Sequence, residues 1–424
     1  MKKLLLILLC LPMIGFGQWT NFYFTNSPLP YGLCVEQTND GGYIAIGLAD
    51  ASKSWGGMLI LKTDINGDTL WTKIIEDYDF MWLGHEAIKQ TNDLGYIITG
   101  SANSSSTSNV LLMKINSSGN ILWTKFLEGD LGFSGIGVCQ TIDTGYLVSV
   151  IANFGTTDST RLIKTDSQGN TLWTKIFHGT CNSICKTLDN GYVFAGKVGF
   201  TDGDAYVTKI DSLGNEVWTQ NFGGIYYDIG TSIRNTSDGG YILTLNTEQY
   251  SGGINDETEC WLIKLNSNGS QDWTKVINGG NSLFINEVEQ TNDGGYILTG
   301  YYVDSVAGWD FDESTILLVK TDINGDEQWR RIFDLGYESQ FGSSVAQISN
   351  GGYIITGGMD GFAMWLIQTN FLGTLTSTFN IPINPNRKLE KTVDMLGKQT
   401  KPQTNTPFIE IYDDGTVEKR IVIE

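Results

Sequence analysis

Few side chains in this chain of 424 residues are suited to covalent or metal chemistry. The two histidines are His85 and His178. A zinc site or a catalytic triad needs partners that converge on an imidazole. With only two lone histidines, both expected in loops, no histidine-centred site is expected. No Gly-x-Ser-x-Gly, His-Glu-x-x-His or phosphate-binding loop occurs. Beyond Cys10, the cysteines are Cys34, Cys139, Cys181, Cys185 and Cys260. An odd set is a poor disulfide framework. They are read as small buried hydrophobes, with Cys181 and Cys185 the only local pair. Asp64-Ile65-Asn66-Gly67-Asp68 recurs as Asp322-Ile323-Asn324-Gly325-Asp326. A calcium loop of the EF-hand kind wants glycine sixth and glutamate twelfth, but here glycine is fourth and Ile75 and Phe333 stand twelfth. A hairpin turn accounts for the pattern. No cofactor or metal is expected, with calcium as the alternative.

Carboxylates and aromatics in irregular segments remain. The candidate ligand contacts are Trp55, Tyr78, Trp82, Tyr226, Tyr227, Tyr250, Trp309 and Phe311, with Asp310 and Glu313. Aromatic faces stack on sugar rings or peptide, and carboxylates accept hydroxyl hydrogens. Further acids in the same kind of segment are Asp77, Asp79, Asp228, Asp256, Glu257, Glu259 and Asp312. Asp310 with Glu313, or Asp77 with Asp79, could serve as acid and base on a glycosidic bond if about 5–10 Å apart.

Those segments are positioned by a repeat. A Gly-Tyr pair recurs at Tyr43, Tyr96, Tyr146, Tyr192, Tyr241, Tyr296 and Tyr353, a period of ~50 residues. A turn of the Gln-Thr-Asn-Asp-Gly-Gly type precedes it, as in Gln37–Gly42. A Leu-Ile-Lys-x-Asp-x-x-Gly-x-x-x-Trp-Thr-Lys run follows, with Trp71, Trp123, Trp173, Trp218, Trp273 and Trp329. Each unit reads as four short strands, a to d, rich in β-branched and aromatic residues. The a–b and c–d connections carry Asp, Asn and Gly, which suit hairpins. This is the signature of a seven-bladed all-β propeller. The seventh unit lacks its Trp strand, and Gln18-Trp19-Thr20-Asn21-Phe22 matches it at the other end of the chain. The N-terminal strand is therefore expected to complete the last blade and close the ring. The Trp residues of strands d are expected in the core.

Composition narrows the partners. Acids outnumber bases 47 to 27, for a net charge of −20. Nucleic-acid binding needs clustered Lys and Arg, so it is excluded. Met1–Gly17 reads as a signal peptide, with Lys2 and Lys3 before the apolar run Leu4–Ile14. That run is shorter than the ~20 residues of a membrane span, and no transmembrane segment is expected. The domain reading is signal peptide 1–17, propeller 18–378, linker 379–390 and tail 391–424.

The Asp-x-x-Gly-x-x-x-Trp-x-Lys segments resemble the tryptophan motif of quinoprotein-type propellers, and the Gly-Gly before Tyr resembles kelch repeats. Both resemblances imply a propeller. Quinoprotein dehydrogenases have eight blades and often an adjacent Cys pair, which this chain lacks, so no quinone is expected. The tail resembles the type IX secretion sorting domain of Bacteroidota. The resemblance is carried by Lys391–Lys398, with Asp394, Leu396 and Gly397, by the turn Asp413-Asp414-Gly415, and by the final strand with Lys419 and Arg420. It implies export by the type IX machinery to the outside of the cell or its surface. The tight a–b and c–d turns make one face of the ring uniform, so the longer d–a and b–c loops crowd the other. Function concentrates in such loops. The expected function is a secreted or surface binding propeller that recognises a glycan or protein there. A polysaccharide hydrolase or lyase and a purely structural surface protein are the alternatives, and the balance leans away from an enzyme.

Overall fold

Alternation of residues and the turn chemistry produce short antiparallel strands, with no helix among the described residues. The computed structural model describes residues 19–23, 31–49, 57–76, 79–104, 107–127, 133–154, 157–199, 203–224, 227–248, 258–277, 283–303, 314–336, 339–359 and 363–375, and in the tail 388–393, 398–401, 408–412 and 417–420. Among these no helix is long and apolar enough to cross a membrane. Two compact units result, Met1–Thr376 and Ser377–Glu424.

The first unit is a seven-bladed propeller of four-stranded antiparallel sheets. Blade 1 shows the plan: strand a is Tyr31–Gln37, b is Tyr43–Ala49, c is Gly57–Thr63 and d is Thr69–Ile75. Strand c is buried along its whole length, whereas strand d alternates exposed and half-buried residues. The cause is stacking. Each sheet has a neighbouring blade on both faces, so the middle strands lose solvent on both sides. Ile44, Ile46, Ile60 and Leu61 are fully buried, each stabilising the fold by about 1.5–3 kcal/mol.

Blade 7 closes the ring as expected. Its strands a to c are Gln340–Gln347, Tyr353–Met359 and Ala363–Thr369, and its outer strand is Trp19–Tyr23, with Trp19 opposite Gln368 and Tyr23 opposite Met364. Closure pairs what would otherwise be an open sheet edge.

Two seams repeat around the ring. In the first, a Trp of strand d lies edge-on against the Tyr that opens strand b of the next blade, as in Trp71 with Tyr96 at 6.2 Å and Trp329 with Tyr353 at 5.9 Å. These tryptophans are half-buried. They are therefore blade-to-blade wedges, not the core residues the sequence suggests. The glycine of the next c–d hairpin meets the same ring. A Cβ at Gly373, which has φ of 66°, would stand 2.5 Å from Trp329, so conformation and space both require glycine.

The second seam is ionic. A buried lysine of strand c bonds the aspartate of the a–b turn, as in Lys62–Asp40 at 3.0 Å, Lys114–Asp93 at 3.0 Å and Lys264–Asp238 at 2.9 Å. Turn groups add to it: Thr38 Oγ1 donates to Asp40, and so does the Gly42 amide. Blade 7 replaces the whole set with neutral residues, Ile348, Asn350 and Gln368, and Tyr43 donates to Gln368 Oε1 at 3.0 Å.

The c–d turns explain the Asp-x-Asn-Gly pattern. Asp64 Oδ1 accepts the Asn66 and Asp68 amides at 2.8 and 2.9 Å. Its carboxylate is spent on its own turn. His178 lies within strand d of blade 3, Thr171–His178, and not in a loop.

The second unit carries an antiparallel three-stranded sheet of Leu389–Val393, Phe408–Tyr412 and Val417–Arg420. Lys419 and Arg420 pair with Ile409 and Phe408. Asp394, Leu396, Gly397, Asp413, Asp414 and Gly415 lie outside the described residues.

The ionic seam predicts an acid response. Partial burial raises Asp238, but bonds from Thr236 and Lys264 outweigh it and hold the carboxyl at about 2. Its contribution is complete above the unfolded pKa of ~3.9 and is lost as pH falls through the folded one. Thermal unfolding of Asp238→Asn should show a smaller fall in Tm between pH 4 and pH 2 than the parent, with a lower Tm at pH 7.

Candidate functional site

The inner strands of the propeller are edge strands, so their amides facing the preceding blade have no ladder partner. Side chains answer them. Ser183 Oγ accepts the Ile233 amide at 3.0 Å, Ser232 Oγ the Val288 amide at 3.3 Å, and Ser344 Oγ the Val35 amide at 3.2 Å. Glu287 Oε2 accepts the Val345 amide at 2.9 Å. These acceptors share one position, two residues before the residue that precedes the Gln-Thr corner or its equivalent. Blade 3 has Gly137 there and offers no side chain.

The gap is filled from blade 2, whose inner strand is broken into Asp79–Trp82 and Ile88–Gln90. The break, Leu83 to Ala87, carries His85 and Glu86. Glu86 passes over Gly137 to blade 4, where it accepts the Ile184 amide at 2.9 Å and the Ser183 hydroxyl at 2.7 Å. A Cβ at Gly137 would stand 3.1 Å from Glu86 Oε2 and 3.0 Å from Ile184. Glycine thus opens the path that the glutamate uses.

Arg234 of blade 5 then bonds Glu86 and Glu287 together, joining blades 2, 5 and 6. Glu86 and Glu287 side chains are only 3% and 6% exposed. Buried charges require such pairing. Lys89 of blade 2 bonds Glu36 of blade 1, and the Gln90 amide donates to Glu36 Oε2. His85 is half-buried beside this network. Burial lowers its pKa, against Glu287 and Glu86, which raise it. The thiols of Cys34, Cys139 and Cys185 are pushed up to about 12, chiefly by burial. They are free and inert, in keeping with the reading as small hydrophobes.

A glutamine ring ends the channel at the a–b turns. Gln90 Oε1 accepts the Asn39 amide, Gln140 the Asn92 amide, Gln347 the Asn292 amide and Gln37 the Ser349 amide, at 2.7–2.9 Å. Each reaches back to the preceding blade. Lys186 and Asn235 interrupt the ring in blades 4 and 5.

The opposite end, where the d–a and b–c loops emerge, carries half-buried aromatics. Tyr31, Phe284 and Phe341 occupy one position, six residues before the corner glutamine, in the consecutive blades 1, 6 and 7. Tyr31 and Phe341 meet edge-on at 6.3 Å. Phe284 stacks on Tyr301 at 4.7 Å and 16°. Gly358 makes room, since a Cβ there would stand 2.5 Å from Tyr31 and 2.8 Å from Phe341.

Of the contacts expected from sequence, Trp55, Tyr78, Tyr226, Tyr250, Trp309, Asp310, Phe311 and Glu313 lie outside the described residues, as do Asp77, Asp256, Glu257 and Asp312. Trp82 sits in the first part of blade 2's inner strand, opposite Ser101, and Asp79 opposite Asn103. Tyr227 is half-buried, with the Lys197 ammonium bonded to its hydroxyl and 4.8 Å from its ring centroid. Asp228 is fully buried and accepts the Gly224 amide, so it is not a solvent-facing loop acid. Glu259 lies within strand c of blade 5, Thr258–Leu265, and accepts from the Trp261 indole at 3.3 Å. The sequence reading missed the channel network and the aromatic arc. Their signals were the departures from the repeat at Gly84-His85-Glu86 and the recurring aromatic before the corner glutamine.

No family model matches the chain, and no curated protein matches it in sequence. Among solved structures it is similar to puromycin hydrolase, with a TM-score of 0.53 and 8% identity over 91% of this chain and 59% of that one. It is also similar to a catalytically inactive virginiamycin B lyase from Staphylococcus aureus with quinupristin, with a TM-score of 0.51 and 10% identity over 83% and 99%. A protein of unknown function from Bacteroides caccae has a TM-score of 0.43 and 13% identity over 75% and 98%. At such identities the likeness to the two enzymes shows the propeller fold alone.

The channel network yields a double-mutant test. Glu86→Ala should cost about 3 kcal/mol, because Arg234 loses one buried partner and the Ile184 amide loses its acceptor. Gly137→Ser in that background should restore about 1 kcal/mol by presenting a hydroxyl as Ser183 does. In the parent, where Glu86 occupies the space, it should destabilise. Chemical denaturation of the four proteins measures the cycle.

Proposed function

We propose that the protein is an exported binding propeller that holds a glycan on its d–a and b–c loop face. The observation that carries this reading is the arc of Phe284, Phe341 and Tyr31 at one position on three consecutive blades. Tyr31 edge-on to Phe341, with Phe284 stacked on Tyr301, gathers half-buried aromatic surface on strand ends, which suits contact with sugar rings. Strand b of blade 6 ends at Val303 on this same end. Tyr227 serves the same face from blade 5.

Three channel carboxylates are poorly placed for hydrolysis. Glu86, Glu287 and Glu36 are committed to Arg234, Lys89 and edge amides. A general acid or base must exchange its proton with substrate, which these bonds oppose. The quinoprotein-like and kelch-like repeat is read as scaffold only.

For destination, Met1–Gly17 acts as the export signal and the tail as a type IX sorting module, with the strand that bears Lys419 and Arg420 part of its sheet. The tail's small antiparallel sheet supports this reading.

The double variant Phe284→Ala, Phe341→Ala should lose at least about tenfold in affinity for polysaccharides that the parent retains, with its circular dichroism unchanged. Affinity electrophoresis against a polysaccharide panel measures this, and a reducing-end assay runs alongside. Release of reducing ends would replace binding with catalysis. Removal of residues 391–424 should leave the protein in the periplasm, and fractionation of cells shows it. Normal secretion of the truncated chain would end the sorting proposal.

A further inference from the structure

The a–b turn end of the channel has an unbalanced set of charges. A cavity of about 550 Å³ opens there, lined by Glu36, Glu289 and the amide side chains of Gln37, Gln90, Gln347 and Asn39. Its volume falls within the ~300–1,000 Å³ typical of small-molecule sites. Among the described residues no lysine or arginine lines it. The amide groups are preset, because Gln37, Gln90 and Gln347 are each fixed by the turn amide of the preceding blade.

Four channel carboxylates, Glu36, Glu86, Glu287 and Glu289, face two cations, Lys89 and Arg234. Lys89 is engaged by Glu36, and Arg234 by Glu86 and Glu287. Among the described residues no hydrogen bond or ion pair reaches the Glu289 carboxylate. It is the one anion of this set left over, and it lines the cavity.

We propose that this cavity binds an organic ammonium group, the protonated amine of a small polar molecule, with Glu289 as its counter-ion. An ammonium carries three donors and is satisfied by one carboxylate with neighbouring oxygen acceptors. A metal ion asks for several converging ligands, and among the described residues no three His, Cys, Asp or Glu converge as a metal would need. The site lies at the opposite end of the channel from the aromatic arc, so it stands apart from the glycan reading.

The site is also proton-linked. Burial first, then Glu287, push Glu289 up to about 7, while Arg234 and Lys89 oppose them and Glu36 adds to them. The ionised form binds the amine, so affinity falls as pH drops through 7. From pH 8 to pH 6 the ionised fraction, and with it the affinity, falls about tenfold.

The test is calorimetric titration of the whole protein with 1,4-diaminobutane, and with 1,4-butanediol as its uncharged counterpart. Saturable diamine binding at pH 8, about tenfold weaker at pH 6, with none for the diol, is the expected result. Glu289→Gln should weaken diamine binding at least about tenfold while its Tm stays equal to or above the parent's, since it relieves repulsion from Glu287. Absence of diamine binding at pH 8 overturns the proposal. So does equal binding by Glu289→Gln, equal binding of the diol, or displacement of the amine by stoichiometric calcium.

Discussion

A propeller blade presents an unpaired strand to the axis of the ring, and the amides of that strand must be answered from the neighbouring blade. Ser183, Ser232, Ser344 and Glu287 do so from one repeated position. Where Gly137 leaves that position empty, the inner strand of blade 2 breaks and sends Glu86 across. That choice places a carboxylate in the channel, which in turn demands Arg234 and then fixes Glu287. A single missing hydroxyl is thus tied to a charged network spanning blades 2, 4, 5 and 6.

The outer seams obey the same logic with different chemistry. Lys–Asp pairs join strand c to the a–b turn, and Trp–Tyr–Gly contacts join one blade to the next. Blade 7 exchanges the ionic set for Ile348, Asn350 and Gln368 together. The exchange is chemically consistent: a lone Lys without its Asp would be a buried unpaired cation.

The strand plan and the ring closure by Trp19–Tyr23 were legible because they are local patterns repeated many times. A turn signal and a two-residue alternation recur at each blade, and the missing seventh Trp strand had one match. The wedge role of the tryptophans was not legible, because half-burial depends on the neighbouring blade's Tyr and Gly. Nor was the Glu86 network, whose partners lie 97 and 148 residues away in Ser183 and Arg234. Asp228 and Glu259 look like loop acids in sequence, yet one is buried under the Gly224 amide and the other lies in a strand.

By itself the sequence determined the number of blades, the strand order within each and the means of closing the ring, because period, turn residues and complementary ends are written locally. Only the tertiary structure decided which charges meet at the axis. Seven equivalent positions converge there from different blades, and chance departures from the repeat, Glu36, Lys89, Arg234 and Glu289, become neighbours. Their pairing follows distance and burial, quantities that no stretch of contiguous sequence contains.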